Sequence, residues 1–292
     1  MGGFAALAVA VAACATAVVL HGRATHRRSR ATLIVSRHVV LPHPRHARPR
    51  SSSALSRTEA LGAAHIRQLA RLGMPIYCGG RRGNEVAFTF DDGPGPYTYL
   101  ALRDLRAAGE RATFFVVGRS MHVHPGLMPH ELALGAIGDH SFHHLDLQLL
   151  TNAEISSEIS STKRMIEQQT REHVDLFRAP YGARDARVDK IVKRLGLLEV
   201  MWSMDSRDSL GANWRGIIKN VGAGIHPGSI ILIENHGQTI RALPTLMSLL
   251  HRRHLRSVSL PELLASDPPS IAQVRHGLYA CEPVRPPVMS GG

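Results

Sequence analysis

The chain is 292 residues long with 44% hydrophobic and 20% charged residues. That excludes a collagen-like, wholly disordered or multi-spanning membrane protein and leaves room for one domain of roughly 200–250 residues plus appendages. The formal net charge is +12, but the excess is local: residues 21–58 hold nine Arg, no Lys and no acid, whereas from Glu59 onward 26 Lys+Arg face 23 Asp+Glu. The globular part is nearly neutral, so a nucleic-acid role for it loses its chief support.

Phe4 to Leu20 is an unbroken run of apolar and small residues. It is short for a spanning helix and long for a signal core. Residues 1–20 are therefore read as a single membrane anchor or uncleaved signal. Arg23, Arg27, Arg28 and Arg30 follow this run, which by the positive-inside rule would put the next domain in the cytoplasm. Val11-Ala12-Ala13-Cys14 also resembles a lipoprotein cleavage box. Residues 21–58, rich in Arg, His, Pro and Ser, cannot bury enough surface to offset chain entropy. They read as a disordered linker, attracted to anionic lipid or wall polymers.

A main domain is expected over residues 59–267, followed by a Pro-rich tail over 268–292 without periodicity. Leu61, His65, Leu69 and Leu72 fall on one face of a helix that Gly73 and Pro75 should end. Strands are expected at Val86–Phe90, Ala112–Val117, Gly135–Gly138, Val174–Arg178, Leu198–Ser203, Ser229–Ile233 and Leu255–Val258, with helical stretches between them. Thr151 with Glu154 forms a capping box, and Ile155, Ile159 and Ile166 mark the buried face of the helix it opens. Seven strands linked by helices predict a parallel α/β fold, an open sheet or an incomplete barrel. None of the three cysteines has CxxC spacing. Cys78 and Cys281 lie near the two ends of the domain. Export would allow a bridge between them; the alternative is two unrelated thiols.

Reacting groups in parallel α/β folds gather at the carboxyl ends of strands. Five clusters lie there. Asp91-Asp92-Gly93-Pro94 pairs two carboxylates that repel unless a cation or shared proton compensates them; the bland alternative is a surface turn. His140 and His144 are four apart, so one helical turn would point both the same way, with His143 a bystander. Ser141 stands where the HExxH peptidases have Glu. Phe177-Arg178-Ala179-Pro180-Tyr181-Gly182 can aim a guanidinium and a backbone N–H at a developing oxyanion. The segments Met201–Asp208 and Gly228–His236 end the fifth and sixth expected strands.

With these motifs in this order, residues 76–264 resemble the polysaccharide deacetylases, the NodB-homology family also called carbohydrate esterase family 4. The resemblance implies an α/β fold, a distorted, incomplete (β/α) barrel with about seven strands. It also implies hydrolysis of acetyl groups on polysaccharides with a divalent metal, usually zinc, with cobalt or another ion as alternatives. It makes Asp91 the base, Asp92, His140 and His144 the metal ligands, Arg178 the residue that orients the base, and Tyr181 the backbone N–H donor. Trp202 and Leu232 would help form the acetyl pocket, and Asp208, or less favourably Asp205, would support the catalytic histidine. Here the chain departs from the pattern. The family reads Leu-Leu-His-Asp or Leu-Met-His at the sixth strand end, whereas this chain has Ile233-Glu234-Asn235, with His236 displaced by two places. His236 is expected to fold back through Gly237 as the general acid, with Glu234 as its substitute. Ser209 also replaces a common Trp.

The expectation is a deacetylase of the bacterial cell envelope acting on an N-acetylated glycan. Peptidoglycan comes first, with chitin-like or O-acetylated glycans as alternatives. It would be a membrane-anchored or secreted monomer with its catalytic domain outside, binding no nucleic acid. Two rivals are a glycan- or metal-binding module with lost catalysis and an anionic-polymer binder driven by residues 21–58.

Overall fold

The structure is a computed structural model that describes residues 52–281, with side chains from residue 57. The expected anchor, nearly all of the linker, and residues 282–292 lie outside the described residues. Among the described residues, no helix is long and apolar enough to cross a membrane.

Helix α1 (Ser52–Ala70) leads into β1 (Glu85–Gly93), α2 (Thr98–Ala108) and β2 (Ala112–Val116). Then come α3 (Gly118–Val123), α4 (Met128–Ala133), β3 (Gly135–Asp139), α5 (Asn152–Thr170), β4 (Leu176–Phe177) and α6 (Ala186–Arg194). The chain continues through β5 (Leu198–Glu199), β6 (Met204–Asp205), α7 (Trp214–Gly224), β7 (Ile230–Glu234) and α8 (Gly237–Arg252). It finishes with β8 (Arg256–Ser257), α9 (Leu260–Ser266) and α10 (Ile271–His276).

All strand pairs are parallel, in the order β5-β4-β3-β2-β1-β7-β6, with β8 beside the start of β1. The sheet curls into a distorted, incomplete (β/α) barrel. The single strand expected over 198–203 is broken into β5 and β6, and the break has a geometric cause. The Val200 N–H donates to Phe177 O at 2.8 Å on one edge of the sheet, while the Ser203 N–H donates to Ile230 O at 3.0 Å on the other. One stretch of chain thus crosses from β4 to β7. Residues 76–79 do the same nearer the strand starts, where Ile76 bridges Val200 and Cys78 bridges Ser229.

Strand β1 is buried at every position but Asp92, as a central parallel strand covered on both faces must be. Phe88, Phe90, Phe114 and Ile233 pack in one cluster with Leu105 of α2 and with α8, while Phe115, Ala87, Ile230 and Ile66 pack in a second cluster with α9. Helix α5 has the predicted capping box and buries Ile155, Ile159 and Ile166. Helix α1 begins earlier than the expected linker boundary, and its buried face is Ile66, Leu69 and Ala70. Leu61 and Leu72 are exposed, at 49% and 36%. The face is rotated because Gly62 packs against the Pro261 backbone.

The tail read as lacking periodicity carries α10, capped by Ser270 and Gln273. Cys281 then closes a disulfide to Cys78, 203 residues apart. Closing so long a loop restricts the unfolded chain and stabilises the fold by roughly 2–4 kcal/mol.

Candidate active site

The two adjacent aspartates leave β1 in opposite environments. Asp91 points inward and is 3% exposed, whereas the Asp92 side chain is 49% exposed. Asp92 has φ 67°, a left-handed conformation that costs a non-glycine residue of order 1–3 kcal/mol and recurs at functional sites.

Arg178 lies buried at the end of β4. Its Nη1 donates to Asp91 Oδ1 at 2.7 Å and to Thr89 Oγ1 at 2.8 Å, its Nε to Val200 O at 2.9 Å, and its Nη2 to Met201 O at 3.2 Å. The guanidinium also stacks 4.2 Å over the Phe115 ring. Burial pushes the Asp91 carboxyl up to about 6, with Arg178 pulling it back toward the ionised form. The Asp91 carboxyl is therefore largely ionised at neutral pH.

Asp92, His140 and His144 bring one ligand atom each within 4.8 Å of one another. Asp92 Oδ1 is 3.1 Å from His144 Nε2 and 3.7 Å from His140 Nε2. His140 Nδ1 sits 2.8 Å from the Arg178 carbonyl. That contact fixes the proton on Nδ1 and leaves Nε2 free toward the cluster. Burial lowers His140 to about 3, so the imidazole is neutral.

The histidines are not aligned by a helical turn as the spacing suggests. They sit on a loop with Ser141 at φ 61° and His144 at φ 59°. Side chains hold that loop in place of helical hydrogen bonds. Asp139 Oδ1 accepts the Ser141 N–H at 2.8 Å, and Glu158 Oε2 accepts those of Phe142 at 3.1 Å and His143 at 2.8 Å. His143 turns away to pair with Glu158 Oε1 at 2.7 Å.

Tyr181 has φ 60° in the turn after β4. Its ring meets the His144 ring edge-on at 4.6 Å, and its hydroxyl donates to the His144 carbonyl at 3.3 Å. Gly182 follows at φ 65°, and a Cβ there would lie 2.8 Å from Trp202 Cη2, so only glycine lets the indole close over the turn. Leu232 is 5% exposed, opposite Thr89 in the β1–β7 register.

Asp208 is buried and saturated. Oδ1 accepts from Ser206 Oγ at 2.7 Å and the Ser209 N–H at 3.0 Å. Oδ2 accepts from the Glu234 N–H at 2.9 Å and from Thr239 Oγ1. Among the described residues, no histidine is one of its hydrogen-bond partners. His236 is exposed at the N-cap of α8, so the expected fold-back of the turn is not what the structure has. The strand keeps its register through Glu234, which pairs with Asp91 across the sheet. Glu234 therefore reaches the barrel mouth instead, its Oε2 buried with no hydrogen-bond partner among the described residues. Burial first, then Asp91, Asp92 and Asp208, push it up to about 10. Asp205 only turns back on the Arg207 N–H, at 2.7 Å.

Sequence reasoning missed Thr89 and Glu158. Thr89 alternates with Asp91 on the inward face of β1, a signal that was readable. Glu158 lies on α5 and carries no local signature.

The sequence profile of the family described as Polysaccharide deacetylase matches residues 79–200. A peptidoglycan-N-acetylglucosamine deacetylase of Bacillus cereus is 33% identical over 187 residues, covering 61% of this chain and 87% of that protein. The Listeria monocytogenes peptidoglycan-N-acetylglucosamine deacetylase PgdA is 32% identical over 186 residues, 63% of this chain; the chain spans 39% of that relative's length. Among solved structures, a carbohydrate esterase family 4 pseudoenzyme from Bacillus anthracis superimposes with TM-score 0.62 at 29% identity, covering 65% of this chain and 68% of that one. The motifs, the curled parallel sheet and these likenesses together establish that the chain belongs to the polysaccharide deacetylase family.

Proposed function

We propose that the chain is a divalent-metal-dependent deacetylase that removes N-acetyl groups from an amino-sugar polysaccharide, with zinc as the metal and peptidoglycan as the substrate. The observation that carries this reading is a three-donor cluster, Asp92, His140 and His144, set beside the Arg178-held carboxylate of Asp91. The donors fit such an ion: one carboxylate and two imidazoles, one of them kept neutral and oriented by a carbonyl, leave positions open for small ligands. A bound divalent ion would supply Lewis acidity toward the acetyl carbonyl and the attacking water.

The chain's own groups do the rest. Asp91 takes the proton of the water, and Arg178 holds it ionised and aimed. The Tyr181 backbone N–H donates to the oxygen on which negative charge develops. Trp202 and Leu232 wall the acetyl methyl. The amine leaves poorly unless protonated, and Glu234, not His236, is the group at the strand end that can hold that proton. Asp208 fixes the Glu234 backbone. The peptidoglycan-directed names of the Bacillus cereus and Listeria relatives support the substrate. An apolar segment followed by a basic tether suits work on the bacterial envelope, anchored or secreted.

A second reading is a glycan- or metal-binding module with weakened catalysis. Glu234 at the usual histidine position favours it, since an acid held at about 10 gives up its proton reluctantly. Acetate release from isolated peptidoglycan and from N-acetylated chito-oligosaccharides tests both readings. The full chain is assayed after chelation and again after zinc is restored. Zinc-restored release supports the enzyme. Stoichiometric zinc without acetate supports the binding module.

A further inference from the structure

The turn that carries Tyr181 holds two consecutive residues in the left-handed region, Tyr181 at φ 60° and Gly182 at φ 65°. A non-glycine residue keeps such a conformation only where its surroundings over-determine it. Two bonds close the turn on itself, from the Gly182 N–H to Ala179 O at 3.0 Å and from the Ala183 N–H to Pro180 O at 2.9 Å. Being local, they fix its shape and leave its place to its two ends. At the entry, the Arg178 guanidinium donates to Val200 O and Met201 O. At the exit stands Arg184, whose side chain has no part in the chemistry above.

Arg184 reaches the same stretch of chain from the side of α6. Its Nε donates to Glu199 Oε2 at 3.2 Å on β5, and its Nη2 donates to Asp189 Oδ2 on α6. Its carbonyl accepts from Gln148 Nε2 at 2.7 Å, in the segment that follows His144. Arg187 doubles that last tie by donating to the Gln148 and Leu150 carbonyls at 2.8 and 2.9 Å. Three segments of the candidate site therefore meet at Arg184: the loop leaving His144, the Tyr181 turn, and the chain that runs from Glu199 to Trp202. Two arginines six residues apart grip residues 199–201, with the strained turn between them.

Stability alone would not choose this junction. Glu199 is 4% exposed, and the Arg184 and Asp189 side chains are 23% and 22% exposed. Taking such charges out of water costs about as much as their attraction returns, and packed apolar side chains of similar volume do as well or better. What apolar packing lacks is the fixed direction of a guanidinium fork held on two carboxylates.

We propose that Arg184 is a positioning residue: its forked hold on Glu199 and Asp189 sets where the Tyr181 N–H points and where the Trp202 indole rests over Gly182. This rests on the reading of that N–H as the donor to the developing negative charge and of Trp202 as a wall of the acetyl pocket. Displacing such a donor by about an ångström costs on the order of 10²-fold in rate. The Gln148 tie uses the Arg184 carbonyl and survives a change of side chain, so the Asp92, His140 and His144 cluster keeps its support.

The test combines Arg184→Met, Asp189→Leu and Glu199→Leu in the full chain, so that no charge is left buried alone. The thermal midpoint should hold or rise and zinc content should match wild type. KM for an N-acetylated chito-oligosaccharide should stay within ~3-fold while kcat falls ~10²-fold. A second readout needs no turnover. The chain has two tryptophans, so in a Trp214→Phe background Trp202 is the only indole. Acrylamide quenching of its emission should rise ~2-fold or more in the triple variant, as the ring lifts from the turn and gains exposure. Unchanged kcat and quenching in a folded triple variant overturn the proposal. So does a loss of kcat that only tracks a lowered midpoint and lost zinc, which would make the junction a structural brace. If the triple variant does not fold, Asp189→Asn with Glu199→Gln weakens the same hold at constant shape and carries the same readouts. Wild-type protein that releases no acetate from any glycan overturns the proposed function, and the quenching comparison still decides whether Arg184 places Trp202.

Discussion

Asp91 and Asp92 are bonded neighbours, yet one sits against a buried guanidinium and the other over the mouth of the barrel. On the proposed function, that division gives proton transfer to Asp91 and ligation to Asp92. Asp91→Asn should retain stoichiometric zinc by elemental analysis while acetate release falls by ~10²-fold or more. Because the Asp91 carboxyl titrates at about 6 and works ionised, wild-type turnover should decline as pH falls through that value. A flat profile from pH 7 to 5 would assign the base elsewhere. At the other side of the site, Glu234→Gln should lower turnover by ~10²-fold with metal content intact, while His236→Ala stays within ~3-fold of wild type. A strong loss in the His236 variant with a fully active Glu234→Gln enzyme would return the acid role to the histidine.

Among the elements, the loop carrying His140 and His144 depends on α5 more than on its own sequence. Glu158 accepts two of its backbone N–H groups and pairs with His143. Glu158→Ala should therefore destabilise the protein by about 1–3 kcal/mol and weaken zinc binding ~10-fold or more. Unaltered zinc affinity in a folded variant would show that the loop is held by other means. This dependence also marks where the sequence stops being legible. Strand ends and their motifs could be read because alternation and local turn residues determine them, as at Thr89-Phe90-Asp91-Asp92. The i, i+4 spacing of the histidines was read as helical because spacing carries no record of Glu158, which is 14 residues beyond His144 along the chain. The placement of Glu234 could not be read because a two-place displacement of histidine looks the same whether the strand shortens or keeps register. The β1–β7 pairing decides it. The helix face of α1 was misjudged for a similar reason: its partner, α9, lies some 200 residues away.

Across the whole molecule, buried carboxyls outside the candidate ligand set govern the response to pH. Burial raises Glu131 to about 8 and Glu199 to about 7, the latter opposed by Arg184. Each binds its proton more tightly in the folded chain than in the unfolded one. Their contribution to stability is thus complete below the ordinary carboxylate range and is lost as pH rises through these two values. The metal-free protein should unfold at a lower temperature at pH 9 than at pH 6.5. A thermal midpoint that rises over that interval would contradict the assignment. His140 acts in the opposite direction, but only below its ordinary value near 6.5, outside this window.

The Cys78–Cys281 bridge joins positions just ahead of β1 and just after α10, with Cα atoms 5.8 Å apart. The bridge lies beside the starts of the strands, at the end of the barrel opposite the candidate site. A protease that cuts any loop between those cysteines would leave a single molecule of unchanged mass apart from one added water. In an oxidising surrounding such a nicked enzyme stays together, and its fragments separate only after reduction. Exposed loops at the mouth, such as the one bearing Leu149 at 83% exposure and the one bearing Leu210 at 77%, can therefore suffer scission without shedding half of the barrel.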